Sequence, residues 1–185
     1  VTTNSYALES SVDGANAIDN NSVFLVSGGA KGVTAHCVIE IAKQHQANFI
    51  LLGRSPLLSG DSAAELDGEM STEPSWANGH DDEMALKKSA MQFLIASGEQ
   101  PTPVKVLEFV KPILANREIL QTLNAIKAAG GKAHYVAADV TNSKSVTSAI
   151  KPALAALESQ TAKNNLQITG IIHGAGVLAD KFIEQ

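Results

Sequence analysis

What this 185-residue chain has little of narrows its function first. It holds one cysteine, Cys37, so there is neither a disulfide framework nor a cysteine-based metal site, and a lone thiol suits a reducing setting. Basic residues are outnumbered, 14 against 19 acids, and the resulting net charge of -5 argues against a nucleic-acid partner, which favours a basic surface. No block of like charges is long enough to signal a disordered interaction tail. The longest apolar runs, such as Ile168 to Ile172, are far too short to cross a bilayer. The first residues lack the charged, then apolar, then small-residue order of a secretory leader. Together these absences point to a cytoplasmic chain with no nucleic-acid and no membrane partner. What is present, 44% hydrophobic and 18% charged residues, is ordinary for one globular domain. Residues 1–22, rich in Ser, Asn, Asp and Ala, read as a linker, and Lys181 to Gln185 reads as a helix just begun. The chain is therefore expected to be a piece of something longer.

Between those ends, apolar runs alternate with amphipathic stretches. Val23 to Val26 and Asn48 to Leu52 are continuous apolar runs, the pattern of strands buried on both faces of a parallel sheet. Ala133 to Ala137 and Leu166 to His173 read as a third and a fourth strand. Val33, Cys37, Ile41 and Ala42 recur at helical spacing and predict a helix to about His45. Ile119, Leu120, Leu123 and Ile126 predict another, stopped by Gly130-Gly131, and Val146, Ile150, Leu154 and Leu157 a third that Pro152 bends or trims. Such alternation implies right-handed βαβ units, hence an α/β, Rossmann-type parallel sheet of order 3-2-1-4 with flanking helices. Residues 56–115 exceed what a minimal unit needs and read as a helical insertion after the second strand. Within it, Pro56 to His80 reads as a surface loop. A helix follows from Asp81 to Ser97, capped by Asp81 or Asp82, with Met84 and Met91 as packing residues. Thr102-Pro103 then opens a short helix, Val104 to Val110, before Pro112.

The polar and glycine-rich residues fall at the ends of the strands. After the first strand comes Ser27-Gly28-Gly29-Ala30-Lys31-Gly32-Val33-Thr34. Glycines here let a backbone approach a pyrophosphate at a helix N-terminus, although a bare tight turn needs them as well, and the strict G-x-G-x-x-G form is absent. Lys31 serves either as a cation near phosphate or as a solvated surface residue. Arg54 ends the second strand, where an arginine accommodates the 2′-phosphate of NADP and an acid would repel it; a surface arginine is the plain alternative. Asp139, after the third strand, suits an adenine amino group, with the Val140 backbone beside it, or simply caps the turn before Thr141-Asn142. Gly174-Ala175-Gly176 either admits a cofactor ribose or ends a strand. Each signal is weak alone, and the four agree in order and spacing.

Ser27 to Thr34, Leu52-Gly53-Arg54-Ser55, Ala138-Asp139-Val140 and Ile172-His173-Gly174-Ala175-Gly176-Val177-Leu178 together resemble the ketoreductase domains of polyketide and fatty-acid synthases, which are short-chain dehydrogenase/reductases. The long insertion and Arg117 to Ala129 are most similar to the ketoreductase of bacterial polyunsaturated fatty acid synthases. The resemblance covers about residues 22–185. It implies NADPH as cofactor, with Ser27, Gly28, Gly29, Lys31, Gly32 and Val33 in the phosphate turn and Arg54 at the 2′-phosphate. Asp139 and Val140 fall at the adenine, and His173, Gly174, Ala175 and Gly176 beside the ribose and nicotinamide. Lys31 and Thr34 depart from the family's common TGGxGxxG form, and Thr34 disturbs the position that packs helix against strand. Asp180 aligns with the last acid of a Leu-Asp-Asp fingerprint. The implied partners are an acyl carrier protein bearing a phosphopantetheine-tethered 3-ketoacyl chain, and neighbouring synthase domains.

The family's catalytic lysine, serine, tyrosine and asparagine fall downstream of Gln185, so no catalytic residue is assigned here. Tyr6 and Tyr135 begin neither Tyr-x-x-x-Lys nor Tyr-x-x-x-Asn, and Lys181 precedes the family's lysine position. His80-Asp81-Asp82-Glu83 is a metal candidate, but acids at a helix start are favoured by its dipole without any metal. Two other functions stay in view: a non-catalytic Rossmann-like scaffold of such a synthase, and a free-standing short-chain dehydrogenase. Residues 1–185 on their own are expected to reduce nothing, since they lack the proton donor. Ketoreductase turnover by this chain alone, followed as NADPH consumption, would contradict that assignment.

Overall fold

The computed structural model describes residues 18–58 and 73–176. Asp180, Lys181, the C-terminal helix start and most of the expected linker lie outside these residues. Four strands, β1 (Val23–Ser27), β2 (Asn48–Gly53), β3 (Lys132–Ala137) and β4 (Gly170–His173), form one sheet in the order β3-β2-β1-β4. Every pairing is parallel, as the alternation predicts. β4 is shorter than the expected 166–173: Thr169 bonds to Val23 through its amide and hydroxyl, and the paired register begins at Gly170.

β1 and β2 are apolar along almost their whole length because both their faces are covered, whereas β4 leaves Ile171 exposed. Val26, Phe49 and Leu51 point to one side, against α1 (Gly32–His45) and the second half of α3 (Pro103–Ala128). Val23, Ile50 and Leu52 point to the other, against α4 (Ser143–Thr161). Each such side chain, wholly buried, contributes about 1.5–3 kcal/mol. A third, smaller core joins α2 (Glu83–Ala96) to the first half of α3 through Ala77, Leu86, Ala90, Val110 and Ile113.

Three helix readings are corrected. α3 is one helix of 26 residues, where two were expected with a break before Pro112. Pro112 removes the amide that would bond the Glu108 carbonyl, but both residues are exposed. Water can therefore take that carbonyl, while Val110 and Ile113 on the opposite side stay buried and hold the helix through. The α1 stripe is Ala35, Val38 and Ala42, not Val33 and Cys37, which are exposed. Small side chains let the helix lie close on the sheet, so alanine spacing rather than the largest apolar residues marks the face. On α2 the buried row is Leu86, Ala90 and Leu94, leaving Met84 and Met91 at the surface. α4 runs through Pro152 to Thr161.

Caps follow the sequence more closely. Asp82 accepts from the Met84 and Ala85 amides, and Asn142 accepts from those of Lys144 and Ser145. Gly130 and Gly131 return their amides to Lys127 and Ile126 to close α3. The stretch read as a surface loop is packed at its described end, where Ala77 is fully buried and Glu73 meets Arg117.

His134 in β3 is pushed below the ordinary imidazole range by burial, and its Nδ1 has no hydrogen-bond partner. A lowered folded-state value means that the neutral ring's contribution is present above pH 6.5, the ordinary value, and is lost as pH falls through the lowered one. Moving from about pH 7.5 to about pH 5.5 should therefore lower the thermal unfolding midpoint, and His134→Leu should remove most of that slope. An unchanged slope in the variant would assign the acid sensitivity elsewhere.

Candidate functional site

Because all four strands run the same way, their C-terminal ends share one edge of the sheet, and the ladder continues past them. The Gly28 amide donates to the Leu52 carbonyl at 2.8 Å, Gly174 to Ser27 at 2.9 Å, and Ala138 to Gly53 at 2.8 Å. These bonds set the glycine turn, the Arg54 corner, the Asp139 turn and the Gly174 turn in one row. Below them, Ser27 Oγ and His173 Nδ1 lie 2.5 Å apart, and the same oxygen accepts from the Ala175 amide at 3.4 Å. Ser27 and His173 thus tie the ends of β1 and β4 together.

In the turn, Gly28 has φ +69° and Gly32 φ +61°, both in the region that L side chains avoid. Gly28 also closely faces the turn after β4, since a Cβ there would lie 2.9 Å from the Ala175 nitrogen. Gly29 is buried, and a Cβ on it would overlap Val26, so its place in the turn is one of packing. Gly32, the first residue of α1, has nothing within 4 Å of its Cβ position. Lys31, Val33 and Arg54 are exposed. Lys31 occupies the N-cap position without any side-chain cap, and α1 has no acid in its first turn. An anionic phosphate fits this arrangement: the helix start offers first-turn amides and its positive dipole end, the Gly32 amide being the one that Glu118 already engages.

Thr34, the odd residue of the motif, has a structural reason. Its side chain fills the space that a Cβ on Gly174 would need, coming within 2.8 Å of that position even at the Thr34 Cβ. The close helix–strand contact that glycine usually provides from the helix side is provided here from the strand side. The bulk and the glycine have exchanged places.

The β2 end is shaped by a residue that sequence reasoning set aside. Tyr135 donates its hydroxyl to the Ser55 carbonyl at 2.6 Å, and Gly53 leaves the room its ring requires. Burial pushes the Tyr135 hydroxyl up to about 12. This tyrosine fixes the corner that presents Arg54. Asp139 accepts at Oδ1 from both the Thr141 amide, at 2.9 Å, and the Thr141 hydroxyl, at 2.7 Å. These two bonds hold its carboxyl below the usual range, the hydroxyl first, and the Arg54 guanidinium adds a smaller pull. Arg54 and Asp139 are therefore neighbours across the β2–β3 ends, and Val140 packs partly against the α4 core.

Two further residues went unnoticed in the sequence. Thr122 of α3 donates to the Ala30 carbonyl at 2.9 Å, and Glu118 accepts from the Gly32 amide at 2.9 Å. The signal for Thr122 was a polar residue inside an apolar stripe; nothing in the spacing marked Glu118.

Residues 22–185 match the KR domain family. The chain is 36% identical over 174 residues to one of the polyunsaturated fatty acid synthase subunits of a Thraustochytrium species, a stretch that covers 91% of this chain. It spans about 6% of that much longer protein. Among solved structures, an N-terminal ketoreductase from the macrolactin assembly line is 23% identical, with 90% of this chain and 21% of that one covered and a TM-score of 0.48. A ketoreductase domain from the bacillaene assembly line is 20% identical, covering 87% of this chain and 23% of its own, with a TM-score of 0.41.

The exchange of Thr34 and Gly174 is testable by a double-mutant cycle. Gly174→Ala should cost about 1–3 kcal/mol by overpacking against Thr34. Combined with Thr34→Gly, it should cost clearly less than the sum of the two single changes in denaturant unfolding. Additive costs would mean that the two residues are not in contact.

Proposed function

The chain belongs to the KR domain family, and on that premise we propose that it is the NADPH-binding part of a β-ketoacyl reductase in a multifunctional polyketide or polyunsaturated fatty acid synthase of the cytoplasm. Its substrate on this reading is a 3-ketoacyl group carried by phosphopantetheine on an acyl carrier protein, reduced to the 3-hydroxyacyl group, with neighbouring synthase domains as further partners. On this reading residues 23–185 belong to the cofactor-binding domain, 56–115 are an insertion into it and 1–22 are a linker.

The observation that carries the proposal is the single row of strand ends, with a glycine turn at β1, an arginine at β2, an acid at β3 and a glycine turn at β4. In this reading the first-turn amides of α1 receive the diphosphate, and Arg54 receives the 2′-phosphate with no acid at its own strand end to oppose it. Asp139 keeps Oδ2 for the adenine amino group while Thr141 engages Oδ1. His173 to Gly176 line the ribose and nicotinamide. Bound NADPH supplies the hydride. On this reading Tyr135 is not the proton donor for the forming alkoxide, since it is committed to Ser55 and its hydroxyl is pushed further from neutrality.

The parent synthase should bind NADPH well above NADH in a fluorescence titration. Arg54→Ala should erase most of that preference, by tenfold or more, as expected for losing a charge-assisted contact to a phosphate. Equal affinity of the parent for the two cofactors would refute the role of Arg54.

A further inference from the structure

The turn expected to hold phosphate already holds a carboxylate. Glu118 Oε1 accepts from the Gly32 amide at 2.9 Å. Gly32 opens α1, where unpaired amides and the helix dipole draw negative charge, and α1 contributes neither an acid nor a side-chain cap of its own. Glu118 comes from α3, 86 residues further along the chain, so this contact is made only by the fold.

Its position follows from how α3 is held. Ile119, Leu123 and Ile126 are locked into the core beneath the sheet face. One turn beyond Glu118, the Thr122 hydroxyl donates to the buried Ala30 carbonyl. On the other flank, Arg117 is clamped by the Glu73 carboxylate at 2.6 and 2.8 Å and by the His80 carbonyl at 2.6 Å. With its neighbours fixed on both sides, residue 118 faces the turn. α3 therefore grips the turn at two points, giving a hydrogen to the Ala30 carbonyl and taking one from the Gly32 amide.

We infer that Glu118 is an internal anion of the phosphate turn, which a dinucleotide's diphosphate must displace, so that Glu118 sets cofactor affinity by competing with it. This rests on the dinucleotide reading proposed above. Carboxylate and diphosphate are both anionic oxygen acceptors that seek the same amide. Bound together they would leave one of them without its donor and set like charges side by side. Diphosphate binding thus requires Glu118 to leave Gly32, while Thr122 keeps its own hold on Ala30. The competition restrains binding of the diphosphate portion and leaves the adenosine end, at Arg54 and Asp139, untouched.

The test measures affinities of the full synthase chain for NADPH, inorganic pyrophosphate and adenosine 2′-phosphate, in the parent, Glu118→Gln and Glu118→Ala. Glutamine keeps an oxygen for Gly32 and removes the charge. Both variants should bind NADPH and pyrophosphate about fivefold more tightly, the scale of a carboxylate at a helix N-terminus. Adenosine 2′-phosphate, which lacks the diphosphate, should bind as in the parent. A residue that merely braced the fold would weaken all three on removal. Parent-like or weaker NADPH and pyrophosphate binding in Glu118→Gln overturns the inference alone, whereas a parent that binds neither NADPH nor adenosine 2′-phosphate overturns the dinucleotide reading with it.

Discussion

The parallel pairing of β1 with β2 on one side and β4 on the other is the constraint on which the rest of this structure depends. β1 is five residues long, and each of its neighbours begins in register near its start. Three strands that start together and run together finish together. The backbone bonds from Gly28 to Leu52 and from Gly174 to Ser27 carry the ladder just beyond those ends. The turns that leave the sheet are therefore held at their roots by the sheet itself. Loops so anchored present polar groups in fixed positions without spending much of their own conformational entropy.

On that base, the site edge is shaped by exchanges of volume between neighbours. Thr34 fills what Gly174 leaves open, and the Tyr135 ring fills what Gly53 leaves open. Neither glycine has the positive φ of Gly28 or Gly32, so each answers to a side chain opposite rather than to its own backbone. A departure from a familiar motif at one position is balanced at another, 140 residues away in the case of Thr34.

α3 has a comparable bridging role. Its first half completes the small core with α2, and its second half completes the main core under the sheet. Between the two halves lie Asn116, Arg117, Glu118 and Thr122, which reach respectively to Leu58, Glu73, Gly32 and Ala30. The segment beyond a minimal βαβ unit is thereby connected to the glycine turn by one continuous helix. This explains why Pro112 does not end it, since the packing on both sides outweighs the loss of one exposed hydrogen bond.

Period and composition made the strand order, the element types and most caps legible, because strands buried on both faces and helices with charged outer faces leave a local trace. Which residues of α1 and α2 lie inside was not legible, because alanine at a close contact carries little hydrophobic signal while exposed valine and methionine carry much. The strand-end motifs could be read as a set, since parallel topology requires them to meet at one edge. The sequence by itself determined the α/β class, the sheet order and the row of glycine, arginine and acid along one edge. Only the tertiary structure decided that Thr34 belongs with Gly174, that Tyr135 supports the Arg54 corner and that Glu118 meets Gly32. Those are pairings between side chains and backbone far apart in the chain, and no local periodicity records them.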